Sequence, residues 1–227
     1  MNTVIFKNLG IVDFKTAWDK QELLLKSIIK DKRSGVKTKN YLLFCQHPHV
    51  YTLGKSGDSK NLLINEAQLK KNQAAFYKIN RGGDITYHGP GQLVVYPIFD
   101  LDNFFTDIHK YLRYLEQVVI DVLRHFDLCG ERLGGSTGVW VSPKKNNENY
   151  KKICAMGVRA SRWVTMHGLA FNVNVDLNYF NNIVPCGIQD RGVTSLCAEL
   201  DRDVPMKDIE LLFKKSFENV FNFFLKT

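Results

Sequence analysis

The stretch RGGDITYHGPGQLVVYPIFDL, residues 81–101, joins a glycine-rich block to a long apolar run. The first twelve of these residues include four glycines and one proline, so the chain there needs special backbone conformations rather than one regular element. Two glycine turns, at 82–83 and 89–91, bracket a short polar strand. The apolar run that follows predicts a strand buried in the core of the protein.

Glycine turns of this kind let the backbone approach a ligand closely and leave N–H groups free to bind oxygen atoms. The block is not a Walker A loop, because no G-K-[ST] sequence ends it, and it does not follow the G-x-G-x-x-G pattern of dinucleotide sites. A glycine-rich hairpin with Arg81 and His88 in solvent is an alternative that the local composition leaves equally open.

The hydrophobic periodicity of the remaining chain alternates helices with strands. Apolar residues at three- and four-residue intervals predict a helix that follows Asp13, a helix over 106–127 and a final helix from Asp208 to Phe224. Further strands are predicted at 3–9, 41–45, 74–80, 138–142, 152–160 and 167–175, with a loop over 46–61. This order predicts an α+β fold, with a mixed or largely antiparallel sheet flanked by helices. Because no repeat or low-complexity linker divides the chain, residues 1–227 are expected to form a single domain.

The composition is that of an ordinary water-soluble chain with a basic surface. Hydrophobic residues make up 44% and charged residues 24% of the sequence, and no apolar run reaches the roughly 18–20 residues of a membrane span. The N-terminus lacks a secretory signal, so we expect a cytoplasmic protein that does not bind membranes. The net charge of +8 favours an acidic partner, either nucleic acid or an acidic carrier protein. The basic runs at 30–39 and 144–152 lack regularly interleaved aromatic residues, which argues against nucleic acid.

Five cysteines are scattered through the chain without a C-x-x-C pair, which predicts free thiols in a reducing compartment. Cys186 lies in VPCGI, between Pro185 and Gly187, where its thiol could stand beside backbone N–H donors or pack in an ordinary turn. A thiol with a pKa near ~8.5 is only a few per cent ionised at neutral pH. A nucleophilic cysteine at this position would therefore need a nearby cation or base.

Lys152 is a candidate for that cation or base. It opens a strand whose next residues are apolar or small, and partial desolvation there would favour its use as a base. A lysine that extends from a strand end into solvent is the other interpretation, and sequence distance does not decide whether Lys152 lies near Cys186. Cys45, His47 and His49 invite comparison with a metal site, but no further ligand stands at suitable spacing, so no metal is expected.

Seven short blocks, taken in order, resemble the lipoyl(octanoyl) transferases of bacteria. They are HPHVYTLG, RGGDITYHGPGQLVVYPIFDL, TGVWV, KICAMGVR, HGLAFNVNVDL, PCGI and GVTSL, and they cover roughly residues 41–200. The RGG-x-x-T-x-HGPGQL block and the PCG turn are specific to that family. The chain departs from the family at Gln46, where many members have Glu, and at Cys154, where Ala or Gly is common. Cys154 is expected to lie on the same strand face as Lys152, where it either serves packing or provides a second thiol near the site.

The resemblance implies a fold and an activity. The fold is the one shared by the catalytic domains of biotin and lipoate protein ligases. The activity is transfer of an octanoyl or lipoyl group from the thioester of acyl carrier protein to a lysine of lipoyl domains, the first step of endogenous lipoate biosynthesis. The acceptors implied are the lipoyl domains of 2-oxoacid dehydrogenase complexes and the glycine cleavage H protein. Neither ATP nor a metal is implied as a cofactor, whereas an ATP-dependent lipoate or biotin protein ligase is the alternative function.

The resemblance also implies the residues of the site. The acyl-thioester cysteine of the family falls on Cys186, and its activating lysine falls on Lys152. The residues that correspond to the substrate pocket are Arg81, Gly82, Gly83, Asp84, Ile85, Thr86, Tyr87, His88, Ala155, Met156, Gly157, Gly168, Leu169 and Ala170. In the implied mechanism the Cys186 thiolate accepts the octanoyl group, and the acceptor lysine then displaces it while Lys152 handles the proton.

Overall fold

The computed structural model describes residues 2–142, 149–184 and 192–226, and Cys186 lies outside these ranges. The strands of the described chain are β1 (Asn2–Ile11), β2 (Asn40–Gln46), β3 (Val50–Leu53), β4 (Ala75–Lys78), β5 (Ile85–His88), β6 (Gln92–Ile98), β7 (Gly130–Leu133), β8 (Ser136–Val141), β9 (Lys151–Ser161), β10 (Val164–Asn172) and β11 (Phe223–Lys226). The α-helices are α1 (Phe14–Arg33), α2 (Glu66–Lys71), α3 (Ile108–Arg124), α4 (Leu196–Leu200) and α5 (Met206–Phe221). Short 3₁₀ helices lie at Ser59–Asn61, Leu101–Asn103 and Leu177–Asn182.

Eight of the described strands form one sheet, in the order β11-β1-β2-β6-β10-β9-β8-β7. Strand β1 runs parallel to both of its neighbours, β11 and β2. The remaining neighbouring pairs of this sheet are antiparallel. The predicted α+β fold with a mixed, largely antiparallel sheet is therefore confirmed.

Helices cover both faces of this sheet, as alternate residues of β6 show. Leu93 and Val95 are buried in the core that α3 and α5 form on one face. Val94 and Tyr96 are buried in the core that α1 forms on the other face. All residues of β6 are buried because neither face of a central strand meets solvent here. None of the helices in the described ranges is long and apolar enough to cross a membrane.

The remaining three strands form a small sheet in the order β4-β3-β5. The polar strand that the sequence predicts between the two glycine turns is β5, which pairs antiparallel with β3. Phe14, the first residue of α1, packs with Val50 and Ile79 of this second layer. The glycine-rich block therefore carries the small sheet over the α1 face of the large one, and the candidate site lies between the two layers.

Local signals set the ends of the helices. The Asp13 carboxylate caps α1 by accepting the Thr16 N–H at 3.0 Å, as its position in the sequence predicts. Helix α5 ends at Phe221, because Asn222 adopts a left-handed conformation with φ of 54°. The prediction that this helix extends to Phe224 was wrong, since Phe224 lies on β11 and is 60% exposed.

The predicted loop over 46–61 contains a strand that the sequence pattern did not indicate. Strand β3 is four residues long and buried throughout, so it shows no alternation of apolar and polar residues. It is a strand because it lies between β4 and β5 and bonds to both of them. Partners that are distant in sequence decide the conformation of such a short segment.

Candidate functional site

A cavity of about 360 Å³ lies between the α1 face of the large sheet and the small sheet. This volume falls within the roughly 300–1,000 Å³ that small-molecule sites occupy. The residues that line it are Phe14, Ile79, Arg81, Asp84, Ile85, Thr86, His88, Val94, Tyr96, Gly135, Ser136, Thr137, Lys152, Ala155, Met156, Gly157, His167, Gly168, Leu169, Ala170, Asn172, Phe180 and Val193. Apolar and small side chains predominate, with a few polar groups among them, which is the usual character of a site for a small organic ligand.

The floor of the cavity is built from small residues on neighbouring strands. Ala170 of β10 lies opposite Ala155 of β9 on one side and Val94 of β6 on the other. Two residues away along the same strands, Gly168 lies opposite Gly157. Because the two alanines and two glycines carry at most one methyl group each, the sheet leaves open space above it that an alkyl chain could fill.

Most of the residues predicted for the substrate pocket line this cavity. They are Arg81, Asp84, Ile85, Thr86, His88, Ala155, Met156, Gly157, Gly168, Leu169 and Ala170, and Lys152 joins them. Three predicted residues stand outside the lining, namely Gly82, Gly83 and Tyr87. The Gly82 N–H donates to the Val158 carbonyl at 2.9 Å, so this glycine attaches the 81–84 loop to β9. Tyr87 turns into the core of the small sheet, where its hydroxyl lies 2.7 Å from Nδ1 of His49.

Arg81 places a buried cation in the wall of the cavity. Its side chain is 7% exposed, which rules out the solvated hairpin that the sequence left open. The Nη2 group donates to the Thr52 carbonyl at 2.7 Å and to the Thr52 hydroxyl at 3.0 Å, and Nη1 donates to the Gly82 carbonyl at 3.0 Å. These three acceptors are neutral oxygens, and the guanidinium charge acts on the cavity by lowering the pKa of His88 and His167.

Two buried histidines line the cavity in their neutral form. Burial lowers the pKa of His88 to about 3, and the nearby His47 ring and Arg81 charge act in the same direction. Burial also lowers the pKa of His167 to about 3, with Arg81 and Arg159 adding to the effect. Both imidazoles are therefore uncharged at neutral pH, and their hydrogen bonds are those of neutral rings.

A chain of hydrogen bonds leads from His88 across the floor of the cavity. The Gln92 Nε2 donates to the Asn172 Oδ1 at 2.9 Å, which leaves Gln92 Oε1 to accept from His88 Nδ1 at 2.8 Å. The Asn172 Nδ2 in turn donates to the Thr194 carbonyl at 2.9 Å. The backbone N–H of Thr194 donates to the carbonyl of Lys152 at 2.9 Å. One polar network thus links the glycine-rich block to the strand that carries Lys152.

Lys152 lies on β9 at the edge of the cavity, partly buried. Its backbone N–H donates to the Gly192 carbonyl at 2.9 Å, and it forms a parallel bridge with Val193. Its Nζ lies over the ring of Trp140, 4.6 Å from the ring centroid. The predicted partner Cys186 lies outside the described residues. The next described residue is Gly192, six positions after that cysteine. Gly192 is hydrogen-bonded to the backbone of Lys152.

None of the four cysteines in the described ranges lines the cavity. Cys154 is fully buried in the core under α3 and α5, and burial raises the pKa of its thiol. The expectation that it shares a face with Lys152 was wrong. On β8, Trp140 lies opposite Lys152, and its neighbour Val139 lies opposite Cys154. Ile153 is therefore an extra residue in β9, with no partner of its own on β8. This bulge breaks the alternation of faces on which the expectation depended.

Sequence reasoning missed several residues that the fold brings to the cavity, including Phe14, His167 and Asn172. His167 directly precedes the predicted Gly168, and Asn172 is a polar residue within an otherwise apolar strand, so both carried a local signal. Phe14 carried none, because its place at the start of α1 resembles that of any core residue. Only the packing of α1 beside the small sheet brings it to the site.

Comparison with known proteins identifies related sequences over almost the whole chain. A family model of the lipoyl protein ligase A/B catalytic domain matches residues 13–218. An octanoyltransferase of Christiangramia forsetii is 57% identical over 227 residues, which cover 97% of this chain and 96% of that protein. An octanoyltransferase of Cytophaga hutchinsonii is 55% identical over 233 residues, covering 96% of this chain and 95% of that protein.

Solved structures share the fold at low sequence identity. A bipartite lipoate protein ligase of Thermoplasma acidophilum has a TM-score of 0.72 at 17% identity, covering 99% of this chain and 85% of that chain. A biotin protein ligase of Aquifex aeolicus has a TM-score of 0.51 at 13% identity, covering 97% of this chain and 69% of that chain. These likenesses concern the fold alone, and they confirm the expected architecture of biotin and lipoate protein ligases.

Proposed function

This chain belongs to the octanoyltransferases of the lipoyl protein ligase A/B family, and we propose how it performs the transfer. It takes an octanoyl group from the thioester of acyl carrier protein and passes it to a lysine of lipoyl domains. The observation that carries this proposal is the apolar cavity, floored by alanine and glycine, that has Lys152 at its edge. An octanoyl chain is apolar and unbranched, which suits such a cavity.

The acyl chain lies on the small-residue floor, along Ala155, Gly157, Gly168 and Ala170. Its carbonyl end stays near Lys152, whose amine can give or take a proton, whereas burial makes His88 and His167 weak bases. The buried Arg81 guanidinium and the neutral histidines shape the polar part of the wall. The small sheet covers part of this cavity, which limits the access of water to the thioester before the acceptor arrives.

Cys186 is the nucleophile in this proposal, with Lys152 beside it. Two hydrogen bonds of the Lys152 backbone, to Gly192 and from Thr194, support it, because they join the chain that follows Cys186 to the strand of Lys152. The Lys152 ammonium favours the thiolate, as a cation near a thiol does. Burial in the core disfavours the thiolate of Cys154, which removes that residue as a competing nucleophile.

The reaction has two steps. The Cys186 thiolate attacks the carbonyl carbon of the donor thioester, and the carrier thiolate leaves with a proton from Lys152. The acceptor amine then attacks the octanoyl-Cys186 carbonyl, its proton passes to Lys152, and the Cys186 thiolate leaves as the amide forms. Preorganised hydrogen-bond donors beside the carbonyl carbon would stabilise the oxyanion in each step. Thioester exchange is nearly balanced and amide formation is downhill, so the proposal requires neither ATP nor a metal.

The proposed donor fits the charge of the chain, and the proposed acceptors are those that the resemblance to the family implies. The net charge of +8 suits an acidic carrier protein as the donor. The acceptors proposed are the lipoyl domains of 2-oxoacid dehydrogenase complexes and the glycine cleavage H protein, without nucleic acid or membrane. We place the reaction in the cytoplasm, where donor and acceptors would meet it.

Intact-mass spectrometry tests the proposal directly. The protein is mixed with octanoyl-acyl carrier protein, and the expected result is a single octanoyl adduct that peptide mapping assigns to Cys186. Cys186→Ser should abolish both the thioester adduct and the transfer to a lipoyl domain. Cys129→Ser is the matched control, because Cys129 is exposed and lies away from the cavity lining. Full transfer by Cys186→Ser, or an adduct on another cysteine, would refute the assignment.

An ATP-dependent lipoate ligase on the same fold is the alternative, and the same preparation distinguishes the two functions. The transferase should work from octanoyl-acyl carrier protein in the absence of ATP and should not use free octanoate. A ligase would require ATP with free octanoate or lipoate, and Cys186→Ser would leave its activity in place.

A further inference from the structure

Lys152 rests on an aromatic face that belongs to the neighbouring strand. Trp140 of β8 lies opposite Lys152 in the strand register, and the Lys152 Nζ is 4.6 Å from the centroid of its ring. An ammonium at this distance over an indole is attracted by the negative face of the ring. Trp140 is only 2% exposed, so its ring is held by packing and does not move with solvent.

Gly138 provides the room that brings Lys152 to this face. It has a φ of 122°, and a Cβ placed on it would lie 2.5 Å from the carbonyl oxygen of Cys154 and 3.5 Å from Cε of Lys152. A larger residue would push β8 away from β9 at this point. The close approach of the two strands therefore depends on a glycine two residues before Trp140.

A buried carboxylate fixes β8 in this position. Glu116 of α3 is fully buried and accepts the N–H of Gly138 at 3.2 Å. Arg113 and Arg132 pair with the two oxygens of this carboxylate, each at 3.0 Å. Because removing one partner of a buried ion pair is costly, the group is expected to hold the start of β8 rigidly. The ring of Trp140 is thus presented to Lys152 from an anchored strand.

We propose that Trp140 is a positioning residue, which holds the Lys152 side chain at the cavity so that its nitrogen can reach the reacting groups. The proposal rests on the function of Lys152 as the proton carrier given above. In this role Trp140 touches neither substrate nor thioester. It acts through Lys152, because attraction to the ring limits the rotamers that the long lysine side chain adopts.

Steady-state kinetics of two Trp140 variants test this role. Trp140→Leu removes the aromatic face and should lower kcat by about tenfold, with little change in KM, since a tenfold rate change corresponds to ~1.4 kcal/mol. Trp140→Phe keeps an aromatic face and should retain most of the wild-type kcat. Equal kcat values for wild type and Trp140→Leu, or equal losses in the two variants, would overturn the proposal.

A matched variant separates positioning from a loss of stability. Phe99 is a fully buried aromatic residue in the core cluster of α3 and α5 and does not line the cavity. Phe99→Leu should lower the free energy of unfolding by an amount comparable to that of Trp140→Leu while leaving kcat unchanged. A fall in kcat for Phe99→Leu as large as that for Trp140→Leu would show that destabilisation alone explains the loss.

Chemical labelling of Lys152 gives a readout that does not depend on octanoyl transfer. The folded protein is treated briefly with an amine-reactive reagent, and labelling at each lysine is measured by peptide mass spectrometry. Trp140→Leu should raise the labelling rate of Lys152 severalfold, with the exposed neighbour Lys151 unchanged as an internal reference. If the proposed function fails, this change is still expected. An unchanged Lys152 rate would overturn the positioning role itself.

Discussion

The backbone of Gly157 on β9 lies directly against the carbonyl of Gly82, so that a Cβ added to Gly157 would come within 2.7 Å of that oxygen. The same Cβ would lie 3.0 Å from Cδ of Arg81. Together with the hydrogen bond from the Gly82 N–H to the Val158 carbonyl, this contact holds the glycine-rich loop on the large sheet. The wall of the cavity that contains Arg81 therefore depends on the close backbone contact between Gly82 and Gly157.

Gly157→Ala should weaken both the fold and the site. The added methyl group meets backbone, which cannot move aside as a flexible side chain would, so we expect the free energy of unfolding to fall by about 1–3 kcal/mol. Octanoyl transfer should fall as well, because Arg81 shifts with the loop. Chemical denaturation and a transfer assay measure the two effects. Gly134→Ala is the control, since nothing lies within 4 Å of a Cβ there, and its stability should stay near that of wild type.

The buried histidines should make stability depend on pH. The folded-state pKa of His88 is about 3, below its ordinary value of about 6.5. Between these two pH values the imidazole is protonated in the unfolded chain and neutral in the folded chain. The contribution of the neutral His88 to the free energy of unfolding is therefore fully present above about pH 6.5, and it is lost as pH falls toward 3. His88→Asn should reduce the slope of unfolding free energy against pH in this window.

The exposed His109 provides the comparison for this experiment. His109→Gln is the control for removal of a histidine, because its ring is exposed and does not line the cavity. Urea unfolding at several pH values between about 4 and 7 gives each slope, and subtraction from wild type removes the shared contribution of the carboxylates. Identical slopes for wild type and His88→Asn would contradict the assignment of a buried neutral imidazole.

Asn172 should be needed for the polar network under the cavity. Asn172→Ala leaves the Thr194 carbonyl without the Asn172 donor and the Gln92 amide without the Asn172 acceptor. Each orphaned buried group costs about 1–3 kcal/mol, so a loss of this order in unfolding free energy is expected. Transfer should also slow, since Thr194 is bonded to the Lys152 backbone. Asn178→Ala, at an exposed position, should change neither quantity by a measurable amount.

Salt should slow the reaction with the carrier-bound donor. If a basic surface steers an acidic carrier protein, kcat/KM should fall by about tenfold between roughly 0.02 and 0.5 M salt, because screening shortens the range of the attraction. An uncharged octanoyl-pantetheine thioester should show little of this dependence. Parallel initial-rate measurements with both donors check the expectation, and equal salt dependence would count against electrostatic steering.

The spacing of apolar residues and the positions of capping and turn residues allowed much of the fold to be predicted. The long helices α1 and α3 show apolar faces over many residues, and Asp13 stands where a capping side chain is needed. Strand β3 was missed because its four buried residues show no pattern, and the end of α5 was misplaced because Phe224 continues the apolar spacing past Asn222. Short or edge segments take their conformation from partners that the local sequence does not contain.

The sequence by itself determined the glycine turns, the helices with one apolar face and, through ordered motifs, which residues to expect near one another. These are local properties, since backbone freedom and side-chain period belong to residues close in the chain. Only the tertiary structure decided that Gly157 meets Gly82, that a bulge at Ile153 turns Cys154 into the core, and that Lys152 lies over Trp140. Burial, pairing and charge environment arise only when distant segments are brought into contact, and they determine what each side chain can do.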